Sequence, residues 1–236
     1  MFRHVRSPVT ALTVAALPLL LAGCSLDGPL STLSPAGPGA APITRVWWAM
    51  FWGGLLITAF MTALGLYAAL RRRDQAPRVS TRVLLVGGGQ VFPLVVLTAL
   101  LAWGVRAGHA LLPLPTGAPV YTVDLLARQW QWEASYPGPA PMRAPTLNRI
   151  DIPAGQPVDV RVRTADVIHG FWVPRLGGKI DAIPGRTNVI RLQADAPGVY
   201  RGVCAEFCGT GHARMPLEVH AHDAAALQRL MNGAAP

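Results

Sequence analysis

The chain has 236 residues, 51% of them hydrophobic, and a formal net charge of +9. Such a balance suits a nucleic-acid binder, yet Arg71, Arg72, Arg73, Arg78 and Arg82 crowd one short gap between two long apolar stretches, and Gly108 onward is much closer to neutral. That distribution is positive-inside membrane topology and excludes a nucleic-acid footprint.

Arg3, His4 and Arg6 form a basic start, Val9 to Leu21 is an apolar run, and Leu21-Ala22-Gly23-Cys24 looks like a bacterial lipoprotein cleavage box. Residues 1–23 therefore read as a signal peptide cut before Cys24, the residue to be lipidated; the run is too short and wrongly flanked for a span. An uncleaved segment with an incidental cysteine is the alternative. Residues 24–45 read as a flexible tether, because Ser25 to Pro42 is rich in Gly, Ala, Ser and Pro and holds one charge.

Residues 46–106 read as a two-helix transmembrane hairpin. Val46 to Leu70 and Val83 to Val105 are uncharged, and each is long enough to cross a hydrocarbon core of about 30 Å. Trp47, Trp48, Tyr67 and Trp103 lie near the ends, where aromatic belts sit. A hairpin buried in a soluble core is the competing reading, and two uncharged spans of this size argue against it. Gly87, Gly88 and Gly89 predict a locally weakened second helix that permits close helix packing. With the arginine gap cytoplasmic, both ends lie outside, where a lipidated N-terminus also belongs.

Residues 113–236 change pattern to short alternating runs punctuated by turns. Val158, Val160 and Val162 alternate with Asp159, Arg161 and Arg163, as a half-buried strand requires. Similar runs occur at Val120 to Ala127, Asn188 to Gln193, Val199 to Val203 and Leu217 to Ala221. Pro153-Ala154-Gly155, Pro184-Gly185 and Pro197-Gly198 supply turns. The fold class is thus membrane-anchored all-β, a sandwich or small barrel closed by a helix over Asp223 to Met231.

Trp130 and Trp132, in RQWQWEASY, stand at strand spacing and share a face; packing over the sandwich end is the simplest account of either. His169, in VIHGFW, would by itself be an ordinary core histidine. The loop GVCAEFCGTGHARM changes its meaning. Cys204, Cys208, His212 and Met215 gather two thiolates, an imidazole and a thioether within twelve residues. Soft sulfur ligands beside imidazole favour copper, and two cysteines four apart on one loop suit a pair of bridged ions. A Cys204–Cys208 disulfide and a zinc site are the other readings. Zinc has little use for the methionine, and no second Cys or His pair accompanies the loop.

The segments RQWQW, VIHGFWVP, KIDAIPGR and GVYRGVCAEFCGTGHARMP, in this order and spacing, resemble subunit II of haem-copper cytochrome c oxidase, the subunit that carries the dinuclear CuA centre. The resemblance covers nearly the whole chain and implies a cupredoxin-like β-sandwich. By that resemblance Cys204 and Cys208 bridge two copper ions, His169 and His212 each bind one, and Met215 and the backbone carbonyl of Glu206 are weak axial ligands. It also implies that the Glu206 side chain reaches a magnesium or manganese ion shared with subunit I, a hard cation suited to a carboxylate. Trp130 becomes the residue of electron uptake and Trp132 its support. The implied partners are subunit I, other oxidase subunits and a cytochrome c or membrane-bound cytochrome, at the bacterial inner membrane with the copper domain on the periplasmic face.

This sequence departs from the family pattern in places. Gln131 stands where an aromatic residue is usual, Arg128 precedes Gln129, and no acidic residue lies between Val83 and Val105 to open a proton path. The copper domain is not strongly acidic, as docking of a basic cytochrome c would require. No CxxCH follows the copper loop, which excludes a fused c-type haem there. Lys179 and Asp181 match the family's KxD segment, with a structural or subunit-contact role. The leading expectation is an oxidase electron-transfer subunit that does not reduce oxygen by itself. The alternatives are a copper-free structural subunit of the quinol-oxidase type, whose mark is loss of the ligands, and a copper-delivery lipoprotein, whose mark is an open Met-rich or His-rich site.

Overall fold

The computed structural model describes residues 26–71, 80–109, 112–114, 120–137 and 144–232. The expected signal peptide with Cys24, and Arg72, Arg73 and Arg78 of the basic gap, lie outside the described residues.

Helix α1, Ala41–Leu70, begins five residues before the expected span, with Pro42 in its first turn, where a missing N–H costs nothing. The second span starts as a π-helix over Val83–Val91 and continues as α2, Phe92–His109. Both helices are long and apolar enough to cross a membrane, and neither buries its apolar window against the rest of the chain. The π winding has a local cause. Pro93 has no N–H to give Gly89, and the neighbouring Phe92 N–H reaches back to Gly87 O instead. At Gly88 and Gly89 the helices do not pack closely as expected: a gap of about 850 Å³ separates them, lined by Leu56, Phe60, Met61 and Phe92 among others.

The segment expected to be a flexible tether is ordered over its described part. Ala36 N donates to Arg175 O (2.7 Å), Asp195 N donates to Ala36 O (2.9 Å), and Arg175 Nε donates to Ser34 O (2.8 Å). Gly39 lies so close to Leu176 O that a Cβ there would come within 2.6 Å of it. Glycine and alanine, which suggested flexibility, are what let this strap lie flat on the β-domain, ending at the buried Ala40 just before α1.

The β-domain is a sandwich of two five-stranded sheets. The first holds β1 (Tyr121–Arg128), β2 (Gln131–Ser135), β3 (Thr146–Leu147), β5 (Val158–Thr164) and β8 (Asn188–Leu192), in the order β3-β2-β1-β5-β8. The second holds β4 (Arg149–Pro153), β6 (His169–Trp172), β7 (Lys179–Ala182), β9 (Gly198–Cys204) and β10 (Pro216–His222), in the order β4-β10-β9-β6-β7. β1 runs parallel to β5 with Val123 opposite Val160 and Leu125 opposite Val162; β4 runs parallel to β10. The alternation read at Val158, Val160 and Val162 is real: these face inward while Asp159 and Arg161 are half-exposed. Trp132, Phe171, Leu125, Ile150, Ile152 and Leu217 fill the space between the sheets. Helix α3, Ala224–Met231, closes one end, its Asp223 cap accepting from Ala226 N (2.7 Å) and its Leu227 and Met231 buried. Two membrane-type helices followed by a cupredoxin-like sandwich is the fold class that the sequence led us to expect.

Candidate metal centre

Four connections meet at one end of the sandwich: the Gln129-Trp130 turn between β1 and β2, residues 165–168 before β6, residues 183–187 after β7, and the long β9–β10 loop, 205–215. Register brings the last three together. His169 pairs with Ala182, and Phe171 pairs with Cys204, so the first residue of β6 faces the point where the cysteine loop leaves β9. The loop is laid onto β6 by the bond from Ala205 N to Gly170 O, 2.8 Å. Gly170 permits this approach: a Cβ there would meet Ala205 C and Glu206 N at 2.8 Å.

The sulfur and imidazole groups converge. Cys204 Sγ lies 3.7 Å from Cys208 Sγ and 3.9 Å from His169 Nδ1. Cys208 Sγ lies 3.6 Å from His212 Nδ1 and 3.9 Å from Met215 Sδ, which is itself 3.2 Å from His169 Nδ1. The ligand atoms of His169, Cys204 and Cys208 all fall within 4.8 Å of one another, and all three residues are buried. Both cysteines are free. Their sulfur separation is less than twice a metal–thiolate bond of about 2.3 Å, so an ion can touch both. Burial first, and then the bond with Cys204, push the Cys208 thiol up to about 11. A soft cation that replaces the thiol proton removes that penalty.

Glu206 faces two ways. Its backbone oxygen is 3.2 Å from Cys204 Sγ, while its carboxylate turns outward to Lys179 Nζ at 3.0 Å. Lys179 also bonds Asp181 at 3.2 Å, and its ammonium is held above its ordinary range, first by Glu206 and then by Asp181.

The two tryptophans lie at different depths. Trp130 is 37% exposed, and its Nε1 donates to Cys208 O at 3.1 Å, beside Gln129 Nε2 on the same oxygen at 2.9 Å. Its ring rests on the loop at Gly211, where a Cβ would come within 2.7 Å of Cε3. Trp132 is fully buried, edge-on to His169 and Phe171 at 6.0 Å each. Asn148 clamps its backbone, with Oδ1 accepting from Trp132 N at 2.8 Å and N donating to Trp132 O at 2.7 Å. Asn148 sits at φ 55°, a left-handed conformation that asparagine tolerates.

Sequence reasoning missed Asp166, although it stands only three residues before His169. Its Oδ1 pairs with His169 Nε2 at 2.9 Å, leaving Nδ1 for the sulfurs. The same carboxylate accepts from Gln129 N (2.7 Å) and Val167 N (2.7 Å), so it ties the Trp130 turn to the histidine. Burial acts to raise its pKa, but the bonds from His169, Gln129, Val167 and Thr164 outweigh burial and hold it at about 2.

A family model for the periplasmic domain of cytochrome c oxidase subunit II matches residues 140–222. The chain is 31% identical over 218 residues to cytochrome c oxidase subunit 2 of Alkalihalophilus pseudofirmus, covering 88% of this chain and 63% of that one. It is also 31% identical over 225 residues to quinol oxidase subunit 2 of Bacillus cereus, covering 90% of this chain and 75% of the relative. The chain belongs to the cytochrome oxidase subunit II family. This family of oxidoreductase subunits is the one its motifs resemble, and its relatives' names divide between cytochrome c and quinol oxidases. Among solved structures, the periplasmic domain of subunit II of cytochrome oxidase from Bradyrhizobium japonicum is 30% identical, with a TM-score of 0.43, over 48% of this chain and 92% of that one. Two helices capable of spanning a membrane agree with a membrane-anchored member of the family.

Proposed function

We propose that this chain is the electron-transfer subunit of a terminal oxidase, accepting electrons from a cytochrome c at a dinuclear copper centre and passing them to haem in a separate catalytic subunit that reduces oxygen to water. The observation that carries this reading is the convergence of His169, Cys204 and Cys208 within 4.8 Å, with His212 and Met215 against the same sulfurs. Cys204, Cys208, His169, His212, Met215 and the Glu206 carbonyl would hold two copper ions. When bound, that pair would supply one-electron transfer with little rearrangement of its ligands.

The chain's own residues supply the surroundings. Asp166 orients His169 through Nε2, as partners behind metal-bound histidines do. Trp132 and Phe171 back that ring with apolar volume and exclude water from it. Trp130, exposed and bonded to the carbonyl of Cys208, is the residue of electron uptake. The Glu206 carboxylate, turned away from the sulfurs, would meet a magnesium or manganese ion at subunit I, in exchange for Lys179. Signal cleavage at residues 1–23, lipidation of Cys24 and a periplasmic copper domain 113–236 complete the proposal.

The relatives named as quinol oxidase subunits favour a second reading, a copper-free structural subunit. The six filled ligand positions weigh against it. Copper titration of the reduced full-length chain in detergent, with metal analysis and electron paramagnetic resonance, separates the two. Two coppers sharing one electron support the proposal. A single-copper signal or no tight binding favours the structural or copper-delivery readings.

A further inference from the structure

We infer that the metal end of the sandwich is a docking surface for an acidic electron-donor domain, one that presents carboxylates around its exposed redox group. This rests on the electron-transfer reading above and adds the chemistry of the partner.

The first observation is apolar exposure concentrated on the loops that build the site. Trp130, Val167, Ile168 and Phe207 are 37%, 40%, 43% and 76% exposed. Trp130 bonds to the Cys208 carbonyl, Phe207 lies 5.8 Å from the His212 ring, and Val167 and Ile168 lead directly into His169. Large side chains left in water beside a buried redox centre mark a surface that is covered in use.

The second observation is the sign of the charge around them. Among the described residues near this end, Glu206 and Asp181 share Lys179 and Glu133 lies 4.0 Å from Arg128, while Asp166 keeps its negative charge, its bonds going to His169 and two backbone amides. The exposed Arg163, Arg186 and Arg214 have no ion-pair partner among the described residues. They come from the end of β5, the β7–β8 loop and the β9–β10 loop, so the cations ring the site rather than cluster on one side. An apolar centre with an arginine rim is ordinary interface anatomy, and uncompensated cations steer and select a partner of opposite sign. The N-terminal strap does not cover this surface: its bonds go to Arg175, Asp195 and the loop beyond Trp172, at the other end of β6 from His169.

The test uses the copper-loaded full-length chain in detergent and two forms of one probe, a basic c-type cytochrome and the same protein with its lysines succinylated to carboxylates. Binding is measured at low and near-physiological salt. The succinylated form is expected to bind at least about tenfold tighter at low salt, with the difference shrinking as salt shortens the Debye length toward about 8 Å. The triple variant Arg163→Glu, Arg186→Glu, Arg214→Glu should reverse the preference while keeping its full copper content, and Phe207→Ala should weaken both complexes. Tighter binding of the unmodified basic cytochrome, or a preference the triple variant leaves in place, would overturn the inference. So would binding to anionic lipid vesicles through these arginines without binding to the succinylated cytochrome. Failure to load two coppers sinks the electron-transfer reading instead, and so is told apart from failure to dock.

Discussion

Replacing Gly170 by alanine tests whether the two halves of the metal centre are held together by backbone contact. The new Cβ would lie 2.8 Å from both Ala205 C and Glu206 N, whereas ordinary contact begins near 3.4 Å. The loop must therefore retreat by roughly 0.6 Å, and because both atoms are backbone no side chain can swing aside to absorb the strain. The retreat stretches the Ala205 N to Gly170 O bond from its 2.8 Å. Overpacking costs about 1–3 kcal/mol and the weakened hydrogen bond about 0.5–1.5 kcal/mol. His169 rides on β6, and Cys204 ends β9 immediately before Ala205, so the same movement pulls on Cys204 and separates His169 Nδ1 from Cys204 Sγ, now 3.9 Å apart. Metal constellations tolerate about 0.5 Å of misplacement, so copper affinity should fall about tenfold or more, equivalent to about 1.4 kcal/mol. Chelator competition on the reduced full-length chain measures the affinity, and thermal unfolding measures the stability. Gly65→Ala is the control, since a Cβ there meets nothing within 4 Å. Unchanged copper affinity and melting temperature in Gly170→Ala would refute the argument that this approach assembles the site.

Asp166→Asn removes the anion behind His169 and should lower copper affinity by about 10–100-fold, read by the same competition assay. Because Asp166 is held at about 2 instead of its ordinary 3.8, its stabilisation is in place above about pH 4 and is lost as pH falls toward 2. The melting temperature of the copper-free chain should drop across that window, and less steeply in Asp166→Asn. Trp132→Ala empties the fully buried volume under His169 and should cost about 3–5 kcal/mol in unfolding measurements. Arg175→Ala releases the strap from Ser34 and should speed proteolysis within residues 26–40 without changing copper affinity.

The donor set was legible in the sequence because one short loop carries most of it. Cys204, Cys208, His212 and Met215 are brought close by local chain geometry in almost any tight loop, and the soft character of the set is a property of residue type. His169 was recognisable only beside that loop. Its contact with the sulfurs depends on the β6–β9 register, which pairs Phe171 with Cys204. Asp166 and Gly170 carried no comparable signal. An aspartate and a glycine near a histidine are common, and their roles arise from a hydrogen bond and a backbone approach that spacing does not specify. The strap shows the opposite failure: composition pointed to a flexible tether, and the structure packs the same small residues against Leu176 and Gln193.

By itself the sequence determined the order of the parts, two apolar spans and then an alternating β-domain, and the sulfur and imidazole content of the loop from Cys204 to Met215. These follow from periodicity, length and ligand softness, all local or one-dimensional properties. Only the tertiary structure decided which residues stand behind the donors, which tryptophan is buried and which exposed, where the N-terminal strap lies, and which acids and arginines around the site pair with one another among the described residues. Those are matters of strand register and packing, set by contacts between residues tens of positions apart, and alternation along one strand leaves them open.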